Sequence, residues 1–163
     1  MRPRSGVLLG LLLLLLPAPP GGAQTPGPEG LPVPRFVSVD SGKANVRTGP
    51  GENYPIRWVF TRPGVPVKIV EESGDWRRIE DPEGATGWIH GTLLSGRRTV
   101  MVTGDGVQDL HRRAEADSPV VLKVEPGVFG RLDGCKGSWC RIEVKEGSGW
   151  LPRGAVWGVL ADE

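Results

Sequence analysis

The residues with the clearest capacity for chemistry are two cysteines, Cys135 and Cys140, and two histidines, His90 and His111. A cysteine beside a histidine is a thiol nucleophile in principle. A second cysteine five positions away argues instead for a bridge, provided that the compartment is oxidising. Neither histidine stands at metal-ligand spacing from a cysteine or from the other histidine. Gly147-Ser148-Gly149 precedes Trp150 as a turn and lacks the spacing of a nucleophile elbow. Glu71 and Glu72 are neighbours, which a strand turns to opposite faces, so they make poor acid and base partners and read as a solvated hairpin end. No glycine-rich loop joins a strand to a helix in the manner that cradles phosphate. No catalytic residue, metal or cofactor is therefore expected. What remains is recognition by aromatic and cationic side chains, and the candidates are Arg47, Tyr54 and Trp76.

The elements that must position them begin after an export signal. A basic start carrying Arg2 and Arg4 leads into an apolar run over 6–16, then Gly21-Gly22-Ala23. This is the pattern of a secretory signal peptide over 1–23, with cleavage between Ala23 and Gln24. The run is shorter than the roughly 20 residues that span a bilayer. The 20 Lys+Arg and 19 Asp+Glu give a net charge of +1. Loss of the two leader arginines moves it to about −1, which leaves no basic surplus for nucleic acid or anionic lipid. The chain has 25 glycines and 16 prolines. Eleven of these fall within 17–34 and the rest are spaced mostly like turns, so the stretch 24–35 reads as an extended Pro/Gly-rich linker. With no cysteine near the cleavage site for lipid attachment, the expected location is the periplasm or outside the cell, without a membrane span. In that compartment Cys135 and Cys140 flank the turn Lys136-Gly137-Ser138 and are expected to form a cross-strand disulfide.

From Phe36 onward, short apolar stretches are cut by turn residues every eight to twelve positions, an all-β pattern. The chain then repeats itself. Asn45-Val46-Arg47 returns as Asp109-Leu110-His111, and Tyr54-Pro55-Ile56 as Ser118-Pro119-Val120. Pro63-Gly64-Val65 returns as Pro126-Gly127-Val128. Trp76-Arg77-Arg78-Ile79-Glu80 returns as Trp139-Cys140-Arg141-Ile142-Glu143, and Gly87-Trp88-Ile89 as Gly149-Trp150-Leu151. Two domains follow, over 36–98 and 99–163, each too small to be more than marginal alone. Strands in the first are expected at 36–39, 44–47, 56–60, 65–71, 76–81 and 87–90, closing into a small barrel that hides its edges.

Alternation along these strands assigns faces. Ile56, Trp58 and Phe60 share a core face, with Trp58 buried. Val65, Val67 and Ile69 form another. Ile79 belongs in the core, so Trp76, three positions earlier, faces outward beside Arg78; Trp139 and Arg141 repeat this. An outward tryptophan is either a ligand platform or a lid on the barrel end. Glu72 and Arg77 stand where the second copy has Cys135 and Cys140, and are expected to form an exposed salt bridge.

Asn45-Val46-Arg47-Thr48-Gly49-Pro50-Gly51, the following Tyr54-Pro55, and the later Trp-x-x-Ile and Gly-Trp-Ile resemble the bacterial SH3-like domain. The second copy, with Cys135, Trp139-Cys140-Arg141-Ile142 and a closing Trp157-Gly158-Val159, looks like the degenerate partner seen in small tandem proteins of this family. The resemblance implies two tandem SH3-like small β-barrels serving as non-catalytic modules, which in some relatives bind wall peptides or protein partners. Arg112-Arg113-Ala114-Glu115 replaces Thr48-Gly49-Pro50-Gly51, so ligand binding is expected at the first copy. There Pro50 would fix φ and Gly51 would supply a positive φ for a tight reversal. The expected function is that of a cell-envelope protein recognising cell-wall peptide or an envelope protein. The alternative is a scaffold with no small ligand. Oligomeric state leaves no mark in the sequence. Intact-mass measurement of the chain recovered from the envelope fraction is expected to place its first residue at Gln24; a dominant full-length species would refute processing.

Overall fold

The computed structural model describes residues 25–26, 30–161 and 163. The processing site at Ala23 and Gln24 falls outside them. Strands β1 (Thr25–Pro26) and β2 (Pro32–Val33) pair antiparallel ahead of two larger sheets. The first sheet holds β3 (Arg35–Val39), β4 (Ala44–Arg47), β5 (Ile56–Phe60), β6 (Pro66–Ser73), β7 (Trp76–Glu80), β8 (Thr86–His90) and β9 (Leu94–Ser95). The second holds β10 (Thr99–Val102), β11 (Gln108–His111), β12 (Val120–Val124), β13 (Phe129–Lys136), β14 (Trp139–Val144), β15 (Gly147–Pro152) and β16 (Val156–Trp157). The strand orders are β5-β4-β8-β7-β6-β3-β9 and β12-β11-β15-β14-β13-β10-β16. They are the same order, each strand replaced by the one seven places later, so the sequence repeat is also a repeat of topology.

Neither ladder closes on itself. Each sheet nevertheless curls, because residues from all seven strands of the first meet in one core. Val37, Val39, Ala44, Val46, Val67, Ile69, Ile79 and Ile89 are buried there, with Trp58, Phe60 and Leu94 packed against them. A flat sheet cannot bring its two edge strands to one cluster. The glycine of each Gly-Trp pair permits the tight crossing. A Cβ on Gly87 would stand 2.5 Å from Val46 Cγ1, and one on Gly149 would stand 2.8 Å from Leu110 Cβ.

The β6–β7 and β13–β14 hairpins have two-residue turns, between Ser73↔Trp76 and Lys136↔Trp139. Gly74 and Gly137 take the first turn position at φ +53° and +57°. A glycine there supplies the backbone twist that a two-residue hairpin needs. Each longer strand also carries a bulge, between Ile69 and Glu71 and between Leu132 and Gly134. Before the bulge the inward residues of β6 are Val67 and Ile69; after it the inward residue is Glu72, whose side chain is fully buried. Arg77 lies on the Ile79 face of β7 and is 6% exposed. The expected Glu72–Arg77 salt bridge therefore forms, with Nε to Oε1 at 3.0 Å, but it is buried rather than exposed. Arg35 adds a second guanidinium at 2.5 Å from the same Oε1. Glu72 is thus no solvated hairpin end. At the matching place in the second sheet, Cys135 and Cys140 are directly paired across the hairpin and form the expected disulfide, with Cα atoms 4.0 Å apart.

Two further expectations about the core are corrected. Ile56 is 48% exposed and Val120 is 44% exposed. Both sit just beyond a bulge in the partner strand, between Val46 and Arg47 and between Leu110 and His111, where the ladder shifts register. Trp58 and Phe60 do face the core, but Trp58 is only partly buried.

The two sheets are joined by contacts from both sides. Thr99, the first residue of β10, donates its hydroxyl to Gly64 O at 2.9 Å and its amide to Ser38 Oγ at 3.1 Å. Since the Thr99 proton is spent on Gly64, Ser38 Oγ donates to Thr99 Oγ1 at 2.5 Å. Phe129 packs against the first core, under the guanidinium of Arg62 at 4.2 Å. Phe36 meets Trp157 edge-on at 4.9 Å. Arg98 bonds Glu163 and Gly158 O. The hydrogen bond from Arg98 holds the Glu163 carboxyl below its ordinary value of 4.5. That anchor contributes stability above the ordinary carboxylate range and loses it as pH falls through the depressed value.

Glu72→Ala would remove the buried carboxylate that Arg77 and the partly buried Arg35 share, and is expected to cost about 3–5 kcal/mol. Opening the short Cys135–Cys140 loop by reduction should cost about 2 kcal/mol by chain entropy. Urea unfolding of the variant, and of the wild type with and without reductant, gives both numbers; a loss below about 1 kcal/mol for Glu72→Ala would show that the ion cluster is not holding the hairpin.

Candidate functional site

The loop between β4 and β5 is where the sequence places Arg47 and Tyr54, and the two meet there. Arg47 Nη1 donates to the Tyr54 carbonyl at 2.8 Å. The Tyr54 ring lies against the loop itself: a Cβ on Gly49 would come within 2.4 Å of the ring, and one on Gly51 within 3.3 Å. Gly51 does not take a positive φ. Glycine is needed at these positions to let the ring approach the backbone, not to supply a left-handed turn. Tyr54 remains 41% exposed.

Trp76 faces away from Ile79, as alternation requires, and is half-buried because its ring packs edge-on against His90 at 5.3 Å. Trp76 pairs with His90 across β7 and β8, whereas Arg47 pairs with Trp88. The ring contact of Trp76 is thus with His90 rather than with the Arg47–Tyr54 loop.

The corresponding loop of the second sheet keeps its backbone. Thr48 N→Pro55 O and Arg112 N→Pro119 O are both 2.9 Å. Gly51 N→Gly49 O at 3.0 Å is matched by Glu115 N→Arg113 O at 2.9 Å, and Tyr54 N→Gly51 O at 3.3 Å by Ser118 N→Glu115 O at 3.2 Å. His111 Nδ1 donates to Ser118 O at 2.8 Å, in the role of Arg47. The loop thus survives the replacement of its glycines. The replacement of Tyr54 by Ser118 explains why: Ser118 is buried, and its Oγ accepts from Arg113 N at 2.9 Å. A hydroxyl holds this loop where a ring covers the other, so Arg113 can carry a Cβ. Above the loop, Trp139 packs edge-on against His111 at 5.4 Å.

Among the described residues, no three of His, Cys, Asp and Glu stand together as metal ligands. Among those residues, no helix is long and apolar enough to cross a membrane.

The bacterial SH3 domain family matches residues 40–96 and 106–158, one match on each sheet. The chain belongs to the bacterial SH3 family. A curated relative, the putative N-acetylmuramoyl-L-alanine amidase YrvJ of Bacillus subtilis (strain 168), is 26% identical over 125 residues. That alignment covers 69% of this chain and 24% of the relative, so the chain corresponds to about a quarter of that protein's length. Two solved structures from Trichomonas vaginalis are also similar. NlpC2 has a TM-score of 0.36 and 10% identity, covering 78% of this chain and 49% of that one. NlpC1 has a TM-score of 0.36 and 11% identity, covering 86% and 48%.

Within these bacterial SH3 repeats Trp58 and Trp76 have different roles. Trp58 reaches Gly87 in the core, whereas Trp76 leans on His90 at the surface. Trp58→Ala is expected to destabilise the fold by about 3 kcal/mol. Trp76→Ala should cost about 1 kcal/mol, the size of one aromatic contact. Denaturant unfolding of both variants checks the order, and a larger loss for Trp76→Ala would reverse the assignment of core and surface.

Proposed function

We propose that this chain is a non-catalytic binding protein of the cell envelope, exported to the periplasm or beyond, which attaches to cell-wall peptide. The observation that carries the reading is the pair of bacterial SH3 matches, in a chain that aligns with part of a putative wall amidase. An N-acetylmuramoyl-L-alanine amidase acts on the wall, and a segment shared with it suits holding a protein at that substrate. Export is supported by the Cys135–Cys140 disulfide, because such bonds persist in oxidising compartments. The exposed aromatic and cationic side chains around the two loops suit a peptide, to which rings offer area and guanidinium groups offer directional donors. A shallow surface of this kind supports affinities in about the micromolar range.

The chain, produced with its own leader and recovered from the envelope fraction, is expected to sediment with purified peptidoglycan. It should release no soluble fragments from that wall on prolonged incubation. Failure to sediment, with capture of one envelope protein instead, would favour a scaffold. Release of fragments would make the protein an enzyme.

A further inference from the structure

The second repeat, whose loop sequence departs from the family pattern, carries an open groove beside that loop. A cavity of about 610 Å³ lies between its loop and the mouth of the β13–β14 hairpin, lined by Arg112, Arg113, Glu115, Lys136, Trp139 and Trp150. The groove accompanies the replacement already described. In the first repeat the Tyr54 ring lies on the loop face, and a Cβ at Gly49 would collide with it. In the second, the loop backbone is the same but the ring is gone, and a buried serine hydroxyl secures the loop from below.

The charge of the groove differs as sharply as its shape. Arg112, Arg113 and Lys136 occupy the positions of Thr48, Gly49 and Ser73, all neutral. The one carboxylate on the groove wall, Glu115, is engaged by Arg113 Nε at 3.2 Å. Three cations therefore face one anion. The aromatic wall is already in place. Both Trp139 and Trp150 are half-buried, and Trp139 is braced by His111, itself tied to the Ser118 carbonyl. Rings held before binding lose little freedom when a ligand arrives.

We propose that this groove binds a short peptide through its carboxylate groups, with Arg112 and Lys136 as the charge partners and the Trp139–Trp150 pair as the platform. The wall as the source of that peptide rests on the function proposed above; the carboxylate chemistry rests on the groove alone. Cations on an open surface discriminate by charge more than they add affinity, whereas a charge-assisted hydrogen bond beside an apolar ring adds both.

The test titrates the full chain with a synthetic stem tetrapeptide bearing free carboxylates, following tryptophan fluorescence, and repeats it with the fully amidated peptide. Amidation is expected to weaken binding by about tenfold or more. Arg112→Gln and Lys136→Gln should each weaken it by about five- to tenfold with unchanged melting temperatures. Ser118→Tyr should block the groove, and if that variant fails to fold, the two charge variants still decide. Equal affinity for both peptides, or no effect of either charge variant, would overturn the proposal. So would saturable binding of poly(glycerol phosphate) in preference to the peptide. Wall sedimentation runs in parallel. If the charge variants still sediment like wild type, the groove assignment fails and the wall-binding reading stands. If the free peptide binds in the groove and whole wall does not sediment the chain, the groove stands and the wall reading fails.

Discussion

One cross-strand pair just inside a two-residue hairpin turn organises each repeat. In the first sheet it is Glu72 and Arg77, an ion pair with its carboxylate fully buried and joined by Arg35. In the second it is a covalent bond between Cys135 and Cys140. The positions correspond residue for residue, and both follow a bulge that turns the pair inward. Charges removed from water are costly unless closely paired, so the first solution holds only while the geometry is kept. Arg77 keeps it by also donating to the Gly74 and Trp76 carbonyls at 2.7 and 3.1 Å, which ties the turn to the pair. The disulfide reaches the same end with fewer demands on its surroundings. Each pair fixes the hairpin that carries the outward tryptophan, Trp76 or Trp139, and so sets the platform on which the candidate sites depend.

Much of this fold was legible in the sequence because strands alternate and the repeat compares every strand with a second version of itself. The spans of β4 and β5 coincide with the expectation, and Val65, Val67 and Ile69 are buried as alternation requires. The errors cluster at bulges. One extra residue reverses the inward set of β6, so Glu72, read as solvated, lies in the interior. A signal for this was present: Cys140 lies two positions before Ile142, as Arg77 lies two before Ile79, and alternation places all four on core faces. Alternation groups Ile56 with the inward Trp58 and Phe60, yet the register shift at Arg47 leaves it half-exposed.

The candidate site was harder to read, for a different reason. Loop shape is set by backbone hydrogen bonds that many sequences can make, and Arg112-Arg113-Ala114-Glu115 makes the same ones as Thr48-Gly49-Pro50-Gly51. The informative change was at a distance, in the exchange of Tyr54 for Ser118. A ring resting on the backbone and a side chain at the position beneath it exclude one another. Glycine with tyrosine and arginine with serine are therefore two consistent solutions, one closed and one open. Compared position by position along the chain, the second loop looks like a loss.

The seam between the sheets has a bearing on how the protein was assembled from its duplicated halves. Phe129 belongs to the second sheet but packs into the first core, and Thr99 spends both its amide and its hydroxyl on the first sheet. A half cut away at this seam would expose an aromatic ring and strip three hydrogen bonds from buried Ser38 and its neighbours. Each half therefore completes its surface only against the other.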